Sequence, residues 1–298
     1  MRHKLLVSAL NEVWALMPEK AMGYLPLIEK ALNGNIEFDA EKPRDFISST
    51  SFNALASPYF ISEFGEANPV SNAPDNSISV ISFNDVITKY DGWCSAGTIT
   101  KSALLLEADK NDKILAHVLK FDTPGGEATA PEVMIDAIKI CTKPVYAYVT
   151  GLCASAGYGI ASACKGIYLS GKMNQLGSIG TFSTILDYSK NLEARGIKLI
   201  EVYAKQSTNK NIEVREALDG KPEKLQARLT EMQSVFEGYT REFRDNLIID
   251  QEAYTGKIYL SEAAVAAGLA DGISSFESFI AMVENDALSN QIVLKHHY

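Results

Sequence analysis

Residues 151–166, GLCASAGYGIASACKG, decide how this sequence folds, because most of them are Gly, Ala or Ser. They follow the strand-like run PVYAYV at 144–149, so the pattern predicts a strand, a turn and then a helix of small side chains. A helix of this kind can lie flush against a sheet. Ser155 falls at its start and has two interpretations: it caps or packs the helix, or it is a nucleophile beside backbone N–H groups that can hold an oxyanion.

The surrounding pattern predicts an α/β fold with a parallel sheet and covering helices. Strand-like and helix-like runs alternate from residue 78 onward, and this order is typical of parallel crossovers with sites at the carboxyl ends of the strands. Residues 12–33 are predicted as a helix, and residues 34–77 as an irregular linker. The predicted strands are 78–83, 114–121, 144–149, 166–170 and 197–204, and the predicted helices are 98–111, 131–141, 186–195, 222–247 and 261–268.

Composition excludes several classes of protein. The chain has 298 residues and a net charge of −9 without a cluster of basic residues, which argues against a nucleic-acid-binding protein. The N-terminal apolar run is too short for a signal peptide, so we expect a cytoplasmic protein without membrane insertion. The cysteines show no metal-ligand spacing, so we expect free thiols, no metal and no cofactor. They are Cys94, Cys141, Cys153 and Cys164.

A second loop, FDTPGGEA at 121–128, follows the predicted strand 114–121. Gly125 and Gly126 permit backbone conformations and close approaches that other residues do not. The loop is either a plain turn or a set of N–H groups facing an anion or an extended peptide. Glu127 beside it is predicted to be a solvated loop residue, and Cys153 is a weaker rival of Ser155 as nucleophile.

A nucleophilic serine needs a base, and the histidines are poorly placed to serve as one. His3, His296 and His297 lie at the ends of the chain, and His117 lies inside a predicted buried strand. A neutral lysine is the alternative. The sequence pattern leaves Lys198, Lys205 and Lys210 open.

Several phrases in order resemble peptidase family S49, the signal peptide peptidase A family. They are DTPGG, ASAGYGIASAC, GSIGTF, IKLIEVYAKQSTNKN and EAAVAAGLAD, all within residues 78–275. The opening EVWALMPEKAMGYLPLI further resembles the phage branch of that family, the head maturation or prohead proteases. This resemblance implies a ClpP/crotonase-like fold of repeated β-β-α or βαβ units.

The resemblance also implies a Ser–Lys dyad. It assigns Ser155 as the nucleophile and Lys210 as the base, with Lys205 as the second choice. The backbone of Gly125 or Gly126, together with the N–H of Ala156, is expected to form the oxyanion hole. The GSIG phrase is expected to line the substrate groove with Gly177, Ser178, Ile179 and Gly180.

The function expected from the resemblance is a serine endopeptidase that processes capsid assembly proteins, such as scaffold, portal or itself, in the host cytoplasm or inside the procapsid. The expected layout is an extension at 1–77, a peptidase domain at 78–285 and a tail at 286–298. A single catalytic domain suggests a homo-oligomer. The alternatives are a cellular peptidase that degrades released peptides, a catalytically silent assembly protein, and a hydratase or isomerase of the same fold.

Overall fold

The computed structural model describes residues 14–16, 59–61, 70–92, 95–185, 187, 189–198, 200–244, 248 and 250–296. The strands are β1 (Trp14–Leu16), β2 (Tyr59–Ile61), β3 (Ser77–Asn84), β4 (Ile114–Thr123), β5 (Gly125–Glu127), β6 (Val145–Ala154), β7 (Ile167–Leu169), β8 (Gln175–Gly177), β9 (Ile258–Leu260) and β10 (Gly272–Ile273). The α-helices are α1 (Thr98–Asp109), α2 (Ala130–Ile140), α3 (Ala156–Ser162), α4 (Ser189–Ala194), α5 (Ile212–Leu218), α6 (Glu223–Arg244), α7 (Ser261–Ala266) and α8 (Phe276–His296).

A largely parallel sheet forms the centre of this mixed α/β fold. Its order is β10-β7-β6-β4-β3-β2, and every neighbouring pair along that path is parallel. Near its carboxyl end, β6 also pairs with β8 in parallel. On its other edge, β8 pairs with β9 in the antiparallel sense. The predicted α/β class with a parallel sheet is confirmed, whereas the ClpP/crotonase-like assignment stays a prediction.

Both faces of the sheet are covered, which is why most of β4 and the first half of β6 are buried. On one face, Phe83, Phe121 and Val149 pack under α1, α2 and α3. On the other face, Val80, Val118 and Tyr148 pack against α8. The alternation of side chains along each strand divides the core into these two layers.

Three parts of the predicted secondary structure are wrong, and the first is that residues 59–61, inside the predicted irregular linker 34–77, form β2. Residues 14–16, which fall inside the predicted helix 12–33, form β1; the rest of that range lies outside the described residues. The described residues of the predicted strand 197–204 contain no strand. Strands require a partner for their backbone groups, and no described strand pairs with this segment, whereas β1 pairs with β5.

The long helix α8 was not predicted from the sequence. It crosses the proposed boundary at residue 285, and its buried side chains pack against the sheet. Its inward positions Phe279, Ile280, Val283 and Ala287 have helical spacing, so the signal was present in the sequence. The division of the chain at 77 and 285 stays a prediction.

Candidate functional site

Ser155 lies on the turn between β6 and α3. Its backbone has φ 53° and ψ −119°, a conformation that residues other than glycine seldom adopt. Its N–H donates to the carbonyl oxygen of Gly177 at 2.8 Å, and its hydroxyl donates to the carbonyl oxygen of Gly180 at 3.4 Å. Backbone strain of this kind persists where the surrounding structure fixes it, and it is concentrated at active sites.

The glycines that follow Ser155 allow α3 to pack closely on two sides. A Cβ at Gly157 would lie 2.6 Å from Cγ2 of Thr123, at the end of β4. A Cβ at Gly159 would lie 2.7 Å from Cε2 of Phe236, on α6. The prediction that small residues let this helix lie flush is therefore confirmed, and the same packing holds Ser155 at the carboxyl edge of the sheet.

The amide groups that open α3 are available beside Ser155. The first backbone bond of the helix runs from the N–H of Gly159 to the carbonyl oxygen of Ser155, at 2.9 Å. The N–H groups of Ala156, Gly157 and Tyr158 precede this bond and so have no acceptor within the helix. An oxygen that becomes negative next to Ser155 would meet these donors.

The glycine loop beside this turn has a fixed hydrogen-bond pattern. Gly125 has φ 100°, and its N–H donates to Oγ1 of Thr123 at 3.2 Å. Ile87 donates its N–H to the carbonyl oxygen of Gly125 at 2.8 Å and accepts from the N–H of Glu127 at 2.9 Å. Because backbone groups alternate in direction along a strand, the N–H and C=O of Gly126 point to the opposite edge of β5.

Glu127 differs from its prediction as a solvated loop residue. It belongs to β5 and is buried, with 9% of its surface exposed. Its Oε2 accepts a hydrogen bond from the backbone N–H of Lys89 at 2.8 Å. The carboxylate therefore ties β5 to the neighbouring 85–92 segment, because a buried carboxylate needs donors in place of the water it has lost.

The loop after β8 passes close to Ser155 and is held from two sides. Gly177 has φ 120°, and a Cβ there would lie 2.6 Å from the carbonyl oxygen of Lys257. The N–H of Ser178, itself at φ 54°, donates to the same oxygen at 2.8 Å. From α6, Nε2 of Gln233 donates to the carbonyl oxygen of Ile179 at 3.2 Å. Gln233 was not predicted as part of the site, since nothing in the local sequence connects it to residues 177–180.

The lysines assigned by resemblance lie on an exposed segment of the chain. Lys205 and Lys210 are both exposed and lie between α4 and α5, two helices that bury none of their residues. Among the described residues, no lysine forms a hydrogen bond with the hydroxyl of Ser155, whose acceptor is Gly180. The described contacts therefore bring Ser155, Ala156 and the two glycine loops together, without a lysine on the hydroxyl of Ser155.

Lys101 is a lysine with an altered pKa elsewhere in the fold. Burial lowers its pKa to about 8, against the opposing charge of Asp91. Its Nζ donates to the carbonyl oxygen of Ser82 and lies 4.6 Å from the ring centre of Phe83. The sheet register places Ser82 about 15 Å or more from Ser155, since successive strand residues advance about 3.3 Å. Lys101 is therefore too far away to take the proton of Ser155 directly.

The rival nucleophile Cys153 is an unreactive thiol. It is fully buried, and burial raises its pKa well above the usual value. The thiol form is a poor nucleophile. Cys153 and Cys164 are both free and buried, as the sequence predicted, and Cys141 is free and half-buried.

His117 belongs to a buried hydrogen-bond network that the sequence pattern did not predict. The hydroxyl of Ser79 donates to Nδ1 of His117 at 2.6 Å, and Nε2 donates to Oδ1 of Asp109 at 3.2 Å. Burial lowers the pKa of His117, and the hydrogen bond to Asp109 only partly opposes this. The order of groups resembles a catalytic triad, but Ser79 is 2% exposed and lies toward the amino ends of the strands, away from Ser155. The expectation that His117 is not the base agrees with this placement.

One group of potential metal ligands lies at the same end of the sheet. Donor atoms of Asp109, His117 and Cys141 lie within 4.8 Å of one another. The carboxylate of Asp109 already accepts from His117 and from the backbone N–H groups of Thr142 and Lys143, at 2.9 and 3.0 Å. These hydrogen bonds account for the arrangement as a link between β4, α1 and the end of α2.

A pocket of about 220 Å³ opens beside Ala156, between the start of α2 and the face of α6. Most of its side chains are apolar, with the carboxylate of Glu132 among them. The lining residues are Ala128, Thr129, Pro131, Glu132, Ala156, Thr181, Met232, Val235, Phe236 and Tyr239. A pocket of this size next to Ser155 suits an apolar side chain.

The fold and this site define a class of α/β protein, in which a serine at positive φ sits on a strand-to-helix turn beside two glycine loops. The sequence model of peptidase family S49 matches residues 137–289, just over half of the chain. The chain belongs to peptidase family S49.

Curated relatives are similar over much of this chain. MJ0651 of Methanocaldococcus jannaschii, whose name marks it as a candidate protease, is 27% identical over 65% of this chain and 63% of its own length. Protease 4 of Salmonella typhi is 28% identical over 69% of this chain and 34% of its own length. Serine protease SPPA, chloroplastic, of Arabidopsis thaliana is 27% identical over 60% of this chain and 27% of its own length. The chain therefore spans less than two thirds of each of these relatives.

A solved structure with a similar outline is a mutant of the 1510-N membrane-bound stomatin-specific protease. It is 17% identical, has a TM-score of 0.45, and the match covers 70% of this chain and 84% of that one. Of the helices that the structure describes here, none has the length and apolar character needed to cross a membrane.

Proposed function

We propose that this chain is a serine endopeptidase with Ser155 as its nucleophile. The observation that carries the proposal is the strained backbone of Ser155 at the carboxyl edge of the sheet, directly before the open amides of α3. Membership of peptidase family S49 and similarity to named proteases support it. We expect a peptide to enter between the two glycine loops, at 125–126 and 177–180.

In the proposed reaction, neutral Lys210 takes the proton from Oγ of Ser155, and this oxygen attacks the scissile carbonyl carbon. The N–H groups of Ala156 and Gly126 hold the resulting oxyanion. Lys210 then gives its proton to the leaving amine, and the peptide C–N bond breaks. Water, deprotonated by Lys210, attacks the acyl-enzyme, which releases the acid and restores Ser155.

The position of Lys210 leads us to propose that the dyad forms between copies of the chain. Within one chain Lys210 is exposed, and α4 and α5 on either side of it bury no residue. Burial against a second copy would supply what a lysine base requires, because desolvation favours the neutral amine. Lys205, on the same exposed segment, is the second choice.

The proposed substrate is an extended polypeptide. Main-chain groups of a short strand can recognise a peptide through backbone pairing, and the pocket beside Ala156 accepts one apolar side chain. We propose capsid assembly proteins as the natural substrates, in the host cytoplasm or inside the procapsid. This choice is supported by the resemblance of residues 12–28 to the phage branch.

The test is a serine-directed fluorophosphonate probe, combined with the intact mass of purified protein mixed with a capsid-assembly substrate. Wild type should be labelled once and should cut the substrate, and Ser155→Ala should do neither. Lys210→Ala should abolish cutting, with Lys205→Ala as its matched control. Absence of labelling and cutting in wild type would contradict the proposal, and would favour a silent assembly protein or acid/base chemistry of the hydratase kind. Cutting of unstructured peptides but of no assembly protein would favour a cellular peptidase.

A further inference from the structure

The edge of β5 that faces away from Ile87 is occupied by a segment of the same chain. Strand β1 pairs antiparallel with β5, with Trp14 opposite Glu127, Ala15 opposite Gly126 and Leu16 opposite Gly125. Glu127 and Gly125 direct their strand hydrogen bonds to Ile87 on the other edge. The backbone pairs available to β1 are therefore those of Gly126.

This pairing uses the group that the proposed reaction needs. By the alternation of strand hydrogen bonds, the N–H of Gly126 donates to the carbonyl oxygen of Ala15, and the N–H of Ala15 donates to the carbonyl oxygen of Gly126. A bound peptide would place its own carbonyl oxygen on the same N–H. One edge cannot pair with two strands at once, so β1 and an extended substrate exclude each other.

We propose that residues 14–16 are a tethered competitor that occupies the substrate edge of β5, and that an extended polypeptide must displace them to be cut. This inference rests on the proposed function. The pairing is short, and each backbone hydrogen bond has a modest net effect, so displacement by a longer peptide strand is feasible. Residues 14–16 bind β5 through main-chain groups, and a peptide of unrelated sequence would be recognised through the same groups.

The test compares full-length Ala15→Pro with full-length Ala15→Ser. Proline removes the N–H that pairs with Gly126, whereas serine at the same position keeps it. On a fluorogenic peptide long enough to cover β5, Ala15→Pro should lower KM roughly 5-fold and leave kcat unchanged, the size expected from losing this pairing. Ala15→Ser should behave as wild type. An unchanged or raised KM in Ala15→Pro would overturn the proposal.

Hydrogen exchange of the Gly126 amide tests whether residues 14–16 pair with β5, and it does not require an active enzyme. The amide should be protected in wild type and in Ala15→Ser, and should exchange faster in Ala15→Pro. Equal protection in all three proteins would overturn the inference, even if Ser155 proves to be the nucleophile. If the fluorophosphonate probe fails to label Ser155 but exchange changes as expected, the proposed function fails and the pairing stands. Release of a wild-type N-terminal fragment ending near residue 16, absent in Ser155→Ala, would identify the segment as a substrate and overturn its role as competitor.

Discussion

Among the glycines that the structure describes, Gly126 has the least room for a side chain. A Cβ there would lie 1.8 Å from the carbonyl oxygen of Ile87, well inside van der Waals contact. Gly126→Ala must therefore push β5 away from Ile87 and turn the N–H of residue 126 out of position. We expect kcat/KM for peptide hydrolysis to fall by about 100-fold or more, the usual effect of losing one oxyanion donor.

Gly238→Ala is the matched control for this substitution. Gly238 is exposed on α6, and a Cβ there meets nothing within 4 Å. We expect unchanged kcat/KM and a gain of about 1 kcal/mol in the free energy of unfolding, because alanine is favoured over glycine inside a helix. Wild-type kcat/KM in Gly126→Ala would show that the amide of Gly126 is not an oxyanion donor.

Residues whose role follows from their neighbours in the sequence could be predicted, and residues whose role depends on a distant partner could not. Ser155 and the packing role of its glycines follow from a local pattern, since a turn and a helix of small residues are local features. Gln233, which holds Ile179 from 54 positions away, has no local signal. Glu127 was misjudged because burial of a loop carboxylate depends on where the N–H of Lys89 lies in space.

Among the secondary-structure elements, β3, β4, α1 and the end of α2 are joined at His117. Burial lowers the pKa of His117 in the folded protein, so below its unfolded value of about 6.5 the unfolded chain binds a proton that the folded chain does not. The free energy of unfolding should therefore fall as pH drops from about 6.5 to 5, by up to about 1.4 kcal/mol per pH unit.

Urea unfolding at pH 7, 6 and 5 measures this slope in wild type and in His117→Gln. The variant should be less stable at pH 7 but should show a flatter slope, because glutamine can bond both Ser79 and Asp109 without titrating. Hydrogen bonds from His117, Thr142 and Lys143 outweigh burial and hold the pKa of Asp109 well below its usual value. The stabilisation that the ionised Asp109 gives the fold is therefore lost only below about pH 4, outside the range from pH 7 to 5. An equal pH dependence of the free energy of unfolding in wild type and His117→Gln would show that His117 is not the titrating group.

Elements with strong periodicity were predictable, and those that depend on a distant partner were not. The helices α1, α2 and α6 and the strands β3, β4 and β6 agree with the sequence pattern to within a few residues. The apolar run at 14–16 fits a helix or a strand equally well, and only the open edge of β5 decides between them. Residues 197–204 have strand composition but no described strand to pair with.

For the whole molecule, that unpaired segment and α5 carry several exposed apolar side chains, called here the 197–218 surface, which flank Lys205 and Lys210 in the sequence. The exposed fraction of Ile200 is 74% and that of Val202 is 89%, values that are high for such large apolar side chains. Other exposed apolar residues of this surface are Ile197, Val214 and Leu218. Contiguous exposed apolar surface is typical of protein interfaces. Because Lys210 belongs to the same exposed stretch of chain, we expect association through this surface to bury the lysine and to supply the base that Ser155 lacks within one chain.

Mixing two inactive variants tests whether the site is shared between chains. Ser155→Ala and Lys210→Ala, unfolded and refolded together, should regain about a quarter of wild-type activity, because one neighbouring pair in four combines the intact serine with the intact lysine. The mass in solution, measured by light scattering, should be that of an oligomer. Adding Val202→Glu to both variants should reduce this mass and abolish the regained activity, since a carboxylate at this exposed position would have to lose its water on association. If the mixture stays inactive while the oligomer is intact, Ser155 and its base belong to the same chain, and the segment at 197–221 must fold back to deliver it.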